Sequence, residues 1–187
     1  MLGLSERQSE SWNQIDLRAQ VQAMTEVPVS YAKDTSAACV AELVAGRGRD
    51  LKSFLYLFVD TFVGGGLVIN SHLHNGVHGN AGAVASLPMQ VATGKGLPEQ
   101  MLAHASLWEL EQHFKAAGLE PSAAYDDRAM AGAYAVHTHA WIASAALGLA
   151  HSVVSATAFL DIDAVVIDGS FSRAMLQRLI EETGVAL

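Results

Sequence analysis

The spacing of apolar and polar residues divides the chain into alternating helical and extended segments. In "NQIDLRAQVQAMT" (13–25), Ile15, Leu17, Val21 and Met24 fall near helical spacing, as expected of a helix with one apolar face. "VPVSYA" (27–32) predicts a short strand, because its β-branched residues favour extension and Pro28 excludes helix. "TSAACVAELVAG" (35–46) predicts a helix with Thr35 or Ser36 near its N-cap and Gly46 just past its end. After the polar turn "GRGRDLKS", the near-unbroken apolar run "FLYLFVD" (54–60) predicts a strand buried on both faces. "TFVGGG" reads as a hairpin turn and "GLVINSHLH" as the antiparallel partner strand.

Residues 75–98 are rich in Gly and Pro and predict a loop. "PEQMLAHASLWELEQHFKAAG" (98–118) predicts a single amphipathic helix, with Pro98 near its start and Gly118 at its end. The Ala-rich stretch 126–160 predicts one or two helices interrupted near Gly148. "DAVVIDG" (163–169) predicts a buried strand, and "SRAMLQRLIEETG" a closing helix. Helices and strands in this order make an α/β protein. No internal repeat is visible, and a seam is expected near residues 46–52, where Gly and charge cluster.

Composition narrows the possible functions. A chain of 187 residues suits one domain, or one and a half. With 51% hydrophobic and 16% charged residues, it has the means to build a core. The net charge of −8, with no basic run, argues against a nucleic-acid surface on this segment. Cys39 is the one cysteine, so no disulfide framework exists and a reducing, cytoplasmic compartment fits. The N-terminal "MLGLSERQSESWNQ" has no apolar signal core. The uncharged run 141–160 has the length of a membrane span, but its Ala, Ser and His151 favour a buried helix.

Chemistry concentrates in "VGGGLVINSHLHNGVHGNAGAVASL" (63–87). Three consecutive glycines between strands could let backbone N–H groups approach a phosphate, or could simply serve a hairpin. His72 and His74 alternate along a strand and His78 follows, so a zinc site is conceivable. No Cys, Asp or Glu nearby completes it, which favours polar loop residues and no metal. His137 and His139 point apart on a helix and cannot chelate one ion. A sugar pocket is a third possibility. Asp34, between a strand and a helix, could accept a hydroxyl proton or cap the helix, and capping is favoured.

These pieces, in this order over residues 10–180, resemble the ROK family (repressor, open reading frame, kinase). The resemblance implies an actin-like ATPase (ribonuclease H-like) α/β fold. This chain would hold an incomplete first lobe (1–50) and most of the second (51–187). "VPVSYAKDTSAACVAEL" resembles the stretch carrying the catalytic base, which falls on Asp34, and a helix-end Glu, which falls on Glu42. Thr61, Gly64, Gly65 and Gly66 match the second phosphate motif, and Gly169 an adenosine-side glycine. Lys33, Asp34, Asn80 and Gly82 occupy sugar-side positions.

The departures from the pattern are informative. The Asn before the base is Lys33, and Asp60-Thr61-Phe62 replaces Gly-Thr-Gly. Ala83, Ser86 and Leu102 stand where sugar-holding Glu, His and a further carboxylate would be, and the zinc loop has no Cys. Each charge-assisted bond so lost is worth about 1.5–3 kcal/mol. Asp60 would also repel phosphate.

The resemblance therefore implies a degenerate sugar-kinase-like effector-binding and oligomerisation domain of a ROK-type regulator, with Asp34 a vestigial base and no cofactor. Its alternatives are an ATP- and Mg-dependent sugar kinase with a divergent site, or a structural remnant without ligand. The expected partners are a sugar or sugar-phosphate effector and a second copy of the chain. The homodimer is expected because helices 13–25 and 35–45 would otherwise lack a sheet to cover their apolar faces.

Overall fold

The computed structural model describes residues 6–90 and 98–187. Its contacts divide the chain into two units, one ending at Lys33 and one running from Asp34 to Leu187. The division therefore lies before the seam expected at 46–52.

The first unit holds α1 (Glu6–Asn13) and α2 (Leu17–Gln22). The single helix expected over 13–25 is thus broken at residues 14–16. Asp16 caps α2, its carboxylate accepting the Ala19 N–H at 2.9 Å. The strand expected at 27–32 does not form. That segment is irregular, and α2 side chains take up its backbone groups. Gln22 Nε2 donates to the Thr25 and Val27 carbonyls, Gln22 Oε1 accepts from Val29 N, and Arg18 Nε donates to Val29 O. Extended propensity alone makes no strand without a ladder partner.

The second unit is built on a four-stranded sheet: β1 (Phe54–Val59), β2 (Val63–Ile69), β3 (His72–Leu73) and β4 (Ala164–Gly169), ordered β3-β2-β1-β4. β1 and β2 are antiparallel, and β1 and β4 are parallel. β1 is buried on both faces, as its apolar run requires. Phe54 and Tyr56 meet Cys39 of α3 (Asp34–Ala45), together with Val68. Leu55, Leu57 and Val59 meet the main core on the other face. α3 therefore has its sheet, contrary to the expectation that its apolar face lacked one. β4 is half-buried along its whole length, rather than buried, because it is the sheet's outer strand.

The main core is closed by α4 (Leu102–Ala105), α5 (Leu107–Ala116), α6 (Ala135–Phe159) and α7 (Arg173–Ala186). The helix expected over 98–118 is two helices, with Ser106 extended between them at φ −80° and ψ 144°. Residues 98–101 are not helical, and Pro88 bridges Gln100 instead. Gly118 ends this region with φ +72°, a left-handed turn that suits glycine. Residues 121–134 form short 3-10 turns, after which α6 runs unbroken past Gly148. The stretch Gly132–Phe159 is long and apolar enough to cross a membrane. Its Trp141, Ile142, Ala145 and Leu149 are packed into the core. Ser172 caps α7 by accepting the Met175 N–H at 3.3 Å.

Candidate functional site

The carboxyl end of β1 gathers most of the expected phosphate-side residues. The turn Asp60–Thr61–Phe62 lies between β1 and β2, and Val59 pairs with both Val63 and Gly169. The carboxyl ends of parallel strands are where α/β folds place ligands. In this turn, however, the polar groups are engaged within the protein. The Asp60 carboxylate accepts the Thr61 N–H at 2.6 Å and its hydroxyl at 3.4 Å. The Thr61 hydroxyl also shares a 2.7 Å hydrogen bond with Tyr125, whose phenol is pushed up chiefly by burial. The Asp60 and Thr61 carbonyls accept the Leu107 and Trp108 N–H groups at 2.9 and 3.1 Å, satisfying the first donors of α5.

The glycines have a packing reason to be glycine. Gly64–Gly66 lie inside β2, not in the turn where sequence placed them. A Cβ on Gly64 would collide with the Thr35 side chain. One on Gly65 would lie 2.6 Å from the Tyr56 carbonyl, and one on Gly66 2.7 Å from Cys39 Cβ. α3 and β2 approach each other through these missing side chains. Gly169 has the same character, wedged against Phe171 and the Val59 carbonyl.

The sugar-side positions sit apart from the turn. Gly82, at φ +76°, lays its backbone directly on Gly66. Asn80 is exposed in the same loop, its carbonyl accepting Ala83 N–H at 3.1 Å. Ala83 and Ser86 are exposed, while Leu102 packs against the main core. Asp34 opens α3 as an exposed carboxylate accepting the Thr35 N–H at 2.7 Å, and Thr35 covers Gly64. Lys33 ends the first unit. The structure thus groups Thr61, Gly64 and Gly169 about the end of β1, and Gly65, Gly66 and Gly82 along β2.

The histidines form no centre. His72, His74 and His78 are exposed, and His72 Nδ1 lies 2.7 Å from the Asn70 carbonyl. Among the described residues no three His, Cys, Asp or Glu side chains are arranged to hold a metal. His137 meets Phe114 edge-on, whereas His139 lies in the groove between α6 and α7.

One cluster escaped the sequence reading. Beside the outer edge of β4 lies an open groove of about 610 Å³, flanked by Glu42, Arg47, Asp168 and Arg173. Arg173 pairs with Asp168 at 2.8 Å. Glu42 accepts the Arg47 and Gly48 N–H groups at 2.8 and 3.3 Å, tying off the end of α3. Burial pushes the Tyr56 phenol far above its usual range, reinforced by Asp168 and Glu42. The Cys39 thiol is pushed up to about 11 by burial and by Glu42. A thiol so placed is unreactive at neutral pH. The sequence signals for this cluster were Glu42, matched to the helix-end Glu, and the alternation that puts Tyr56 on the α3 face of β1.

Comparison with known proteins gives this geometry a context. The model of the ROK family matches residues 3–184. The xylose repressor of Bacillus subtilis (strain 168) is 28% identical over 108 residues, covering 58% of this chain and 27% of the repressor. The ROK hexokinase of Thermus thermophilus superposes with a TM-score of 0.67 at 26% identity, covering 94% of this chain and 63% of that one. A ROK family transcriptional regulator, a homologue of the E. coli MLC protein, superposes with a TM-score of 0.65 at 17% identity, over 91% of this chain and 47% of that one. The α/β fold is therefore that of the actin-like ATPases. The matched stretch spans about a quarter of the length of the curated repressor.

Proposed function

The chain belongs to the ROK family, and from that premise we propose that it is a sugar-kinase-like effector-binding and oligomerisation domain of a ROK-type transcriptional regulator, without kinase activity. On this reading residues 1–50 derive from the first lobe and residues 51–187 from the second. Its ligand is a sugar or sugar phosphate, its partner a second copy, its compartment the cytoplasm. DNA contact is left to other parts of the regulator, in keeping with the acidic charge of this segment.

One observation carries the part of the reading that denies kinase activity. The positions that would grip a hexose hold Ala83, Ser86 and Leu102, and Leu102 packs half-buried against the core. Recognition of a sugar hydroxyl needs a buried polar partner, and none of these three can form a charge-assisted bond. The turn supports the same view against ATP and magnesium. Thr61 is bonded to Tyr125, and the Asp60 carboxylate stands beside it. An anion beside the turn opposes the charge neutralisation that phosphoryl transfer requires. Asp34, exposed and bonded to the adjacent N–H, serves as a helix-start residue.

The test is a coupled ATP-consumption assay over hexoses and amino sugars, beside a thermal-shift screen with sugars and sugar phosphates. The expected result is no turnover, with a shift for at least one ligand. Turnover that Asp34→Asn abolishes would restore the kinase. A flat thermal screen would reduce the domain to a scaffold.

A further inference from the structure

β4 leaves one edge of the sheet open. It is the last strand in the order β3-β2-β1-β4, and among the described residues no strand pairs with its outer side. Ser170 donates its N–H to the Val59 carbonyl at 3.2 Å. Alternate residues of a strand turn their backbone groups to opposite edges. Asp168, Val166 and Ala164 therefore bond to β1, while Val165 and Ile167 turn N–H and C=O outward. Natural edge strands are guarded by Lys, Pro or a bulge. β4 reads AVVIDG, with neither Lys nor Pro, and its register on β1 is continuous. Its one charge, Asp168, is engaged by Arg173 at 2.8 Å. The groove of about 610 Å³ follows this edge, with Glu42 and Arg47 on the α3 side and Arg173 and Ile180 on the α7 side.

We infer that this edge pairs with the same edge of a second copy, β4 against β4, antiparallel, about a two-fold axis at Val166, so that two sheets join into one. The inference goes beyond the reading above, which names a second copy but no surface, and it is separate from any other face through which the domain associates. The register is self-complementary, as a two-fold contact requires. About Val166, Val165 stands opposite Ile167 of the other copy. Both turn their backbone groups outward, so the two residues exchange N–H and C=O bonds as a hydrogen-bonded antiparallel pair. Val166 meets Val166 of the other copy as the closer, unbonded pair, apolar against apolar. An axis one residue further on, at Ile167, would instead set Asp168 opposite Val166.

Charge complementarity makes a second copy the occupant. Gly48 lies against the Phe54 ring, and Phe54 pairs with Ala164. Arg47 therefore stands near the amino end of β4, on the α3 face. Asp168 stands near the carboxyl end on the same face, two residues from Val166. Antiparallel pairing about Val166 sets Asp168 opposite Ala164 of the other copy, beside that copy's Arg47, and the axis repeats the contact. A chain of net charge −8 repels its own copies, and here a guanidinium of one meets a carboxylate of the other. On the opposite face Ile180, 43% exposed, lines the groove with Val165 and Ile167 and adds apolar area. A six-residue strand is about 20 Å long, so the contact is smaller than the ~800 Å² that each partner of a stable complex buries. Such a pair dissociates on dilution.

Amide hydrogen exchange by NMR on the 187-residue chain, from micromolar to millimolar concentration and beside sedimentation velocity, tests this. Exchange at Val165 and Ile167 should slow by about tenfold or more as the dimer fills, while 95% exposed Val77 keeps its rate. Arg47→Glu sets two carboxylates together and should weaken association by roughly tenfold. Lys115→Glu, the same change of charge at an exposed position on α5, should not. Both sites are exposed, so far-UV circular dichroism should stay as in the wild type. A dimer in which Val165 and Ile167 exchange as in the monomer, or one weakened equally by both charge reversals, would overturn the edge pairing and leave the second-copy partner standing. Protection of these amides that does not change with concentration would also overturn it, since the edge would then be covered within one chain. A chain that is monomeric throughout would overturn both the edge pairing and the homodimer. Effector binding, read separately by thermal shift, would be untouched by any of these failures.

Discussion

The turn after β1 and the sugar-side positions Asn80, Gly82, Ala83, Ser86 and Leu102 belong to one ancestral cleft on the proposed reading, and they have fared differently. Around the turn Thr61, the three glycines of β2 and Gly169 are kept, although Asp60 and Phe62 replace two glycines of the family pattern. On the sugar side the expected polar side chains are replaced by Ala83, Ser86 and Leu102. The difference follows from what each region is made of. The glycines are held in place by the fold, since α3, Tyr56, Gly82 and Phe171 all press into the space a side chain would need. Ala83 and Ser86 stand at exposed positions, where a sugar-holding side chain would support little of the fold, and Leu102 now packs against the core instead. Retained glycines are therefore weak testimony for retained chemistry.

The sharpest way to break this comparison is Gly66→Val. Overpacking against Cys39 should cost about 3 kcal/mol or more, read as a lowered urea midpoint. If the variant were as stable as wild type, the glycine would need a ligand to explain it. The next test rebuilds the loop. Ala83→Glu, Ser86→His and Leu102→Glu together should give a hexose-dependent thermal shift where the parent has none or less. Each recovered charged bond is worth about 1.5–3 kcal/mol, against a similar cost for placing a carboxylate at half-buried Leu102. An unchanged response would mean that the loop backbone, too, has left the sugar-binding arrangement.

A smaller effect is expected at the turn. Thr61→Val removes the hydroxyl that Tyr125 meets and should cost about 1 kcal/mol, with no change in ligand response. A lost ligand response would show the hydroxyl to be more than a brace. The smallest effect concerns Asp163, whose carboxylate accepts the Lys52 and Ser53 N–H groups at 2.9 and 2.8 Å. Those bonds hold its carboxyl below the ordinary range. The unfolded chain then binds the proton more readily, so this contribution is complete above about pH 4. It fades as pH falls through the lowered native value. Asp163→Asn should lower the melting temperature slightly at neutral pH and flatten its acid dependence. A parallel drop at all pH values would contradict the assignment.

Much of the second unit was legible because its signals are local. The unbroken apolar run of β1, the closing helix α7 and the Gly118 stop after α5 are each read from a few adjacent residues. What escaped depends on distant partners. Gly64–Gly66 looked like a turn because glycine usually punctuates, whereas α3 lying close over β2 is the reason for them. The break at Ser106 had a signal in "SLWE", a Ser followed three residues later by Glu. Yet the donors there go to the Asp60 and Thr61 carbonyls rather than to the Ser side chain. At the site, the identity of each candidate residue was readable. Its hydrogen-bond partners, such as Tyr125 for Thr61, were not.

The pairing of β1 with β4 has a consequence for biosynthesis. Ser53 and Asp163, which clasp the start of that parallel pair, are 110 residues apart. On the ribosome the β1–β2 hairpin emerges early, with one apolar margin still waiting for a neighbour. It must wait until α4, α5 and α6 have been translated and β4 follows them out. Long-range parallel pairing of this kind is slow and leaves nascent strands open to wrong contacts. The interval between synthesis of residues 59 and 169 is thus when the open edge of β1 is exposed to wrong contacts.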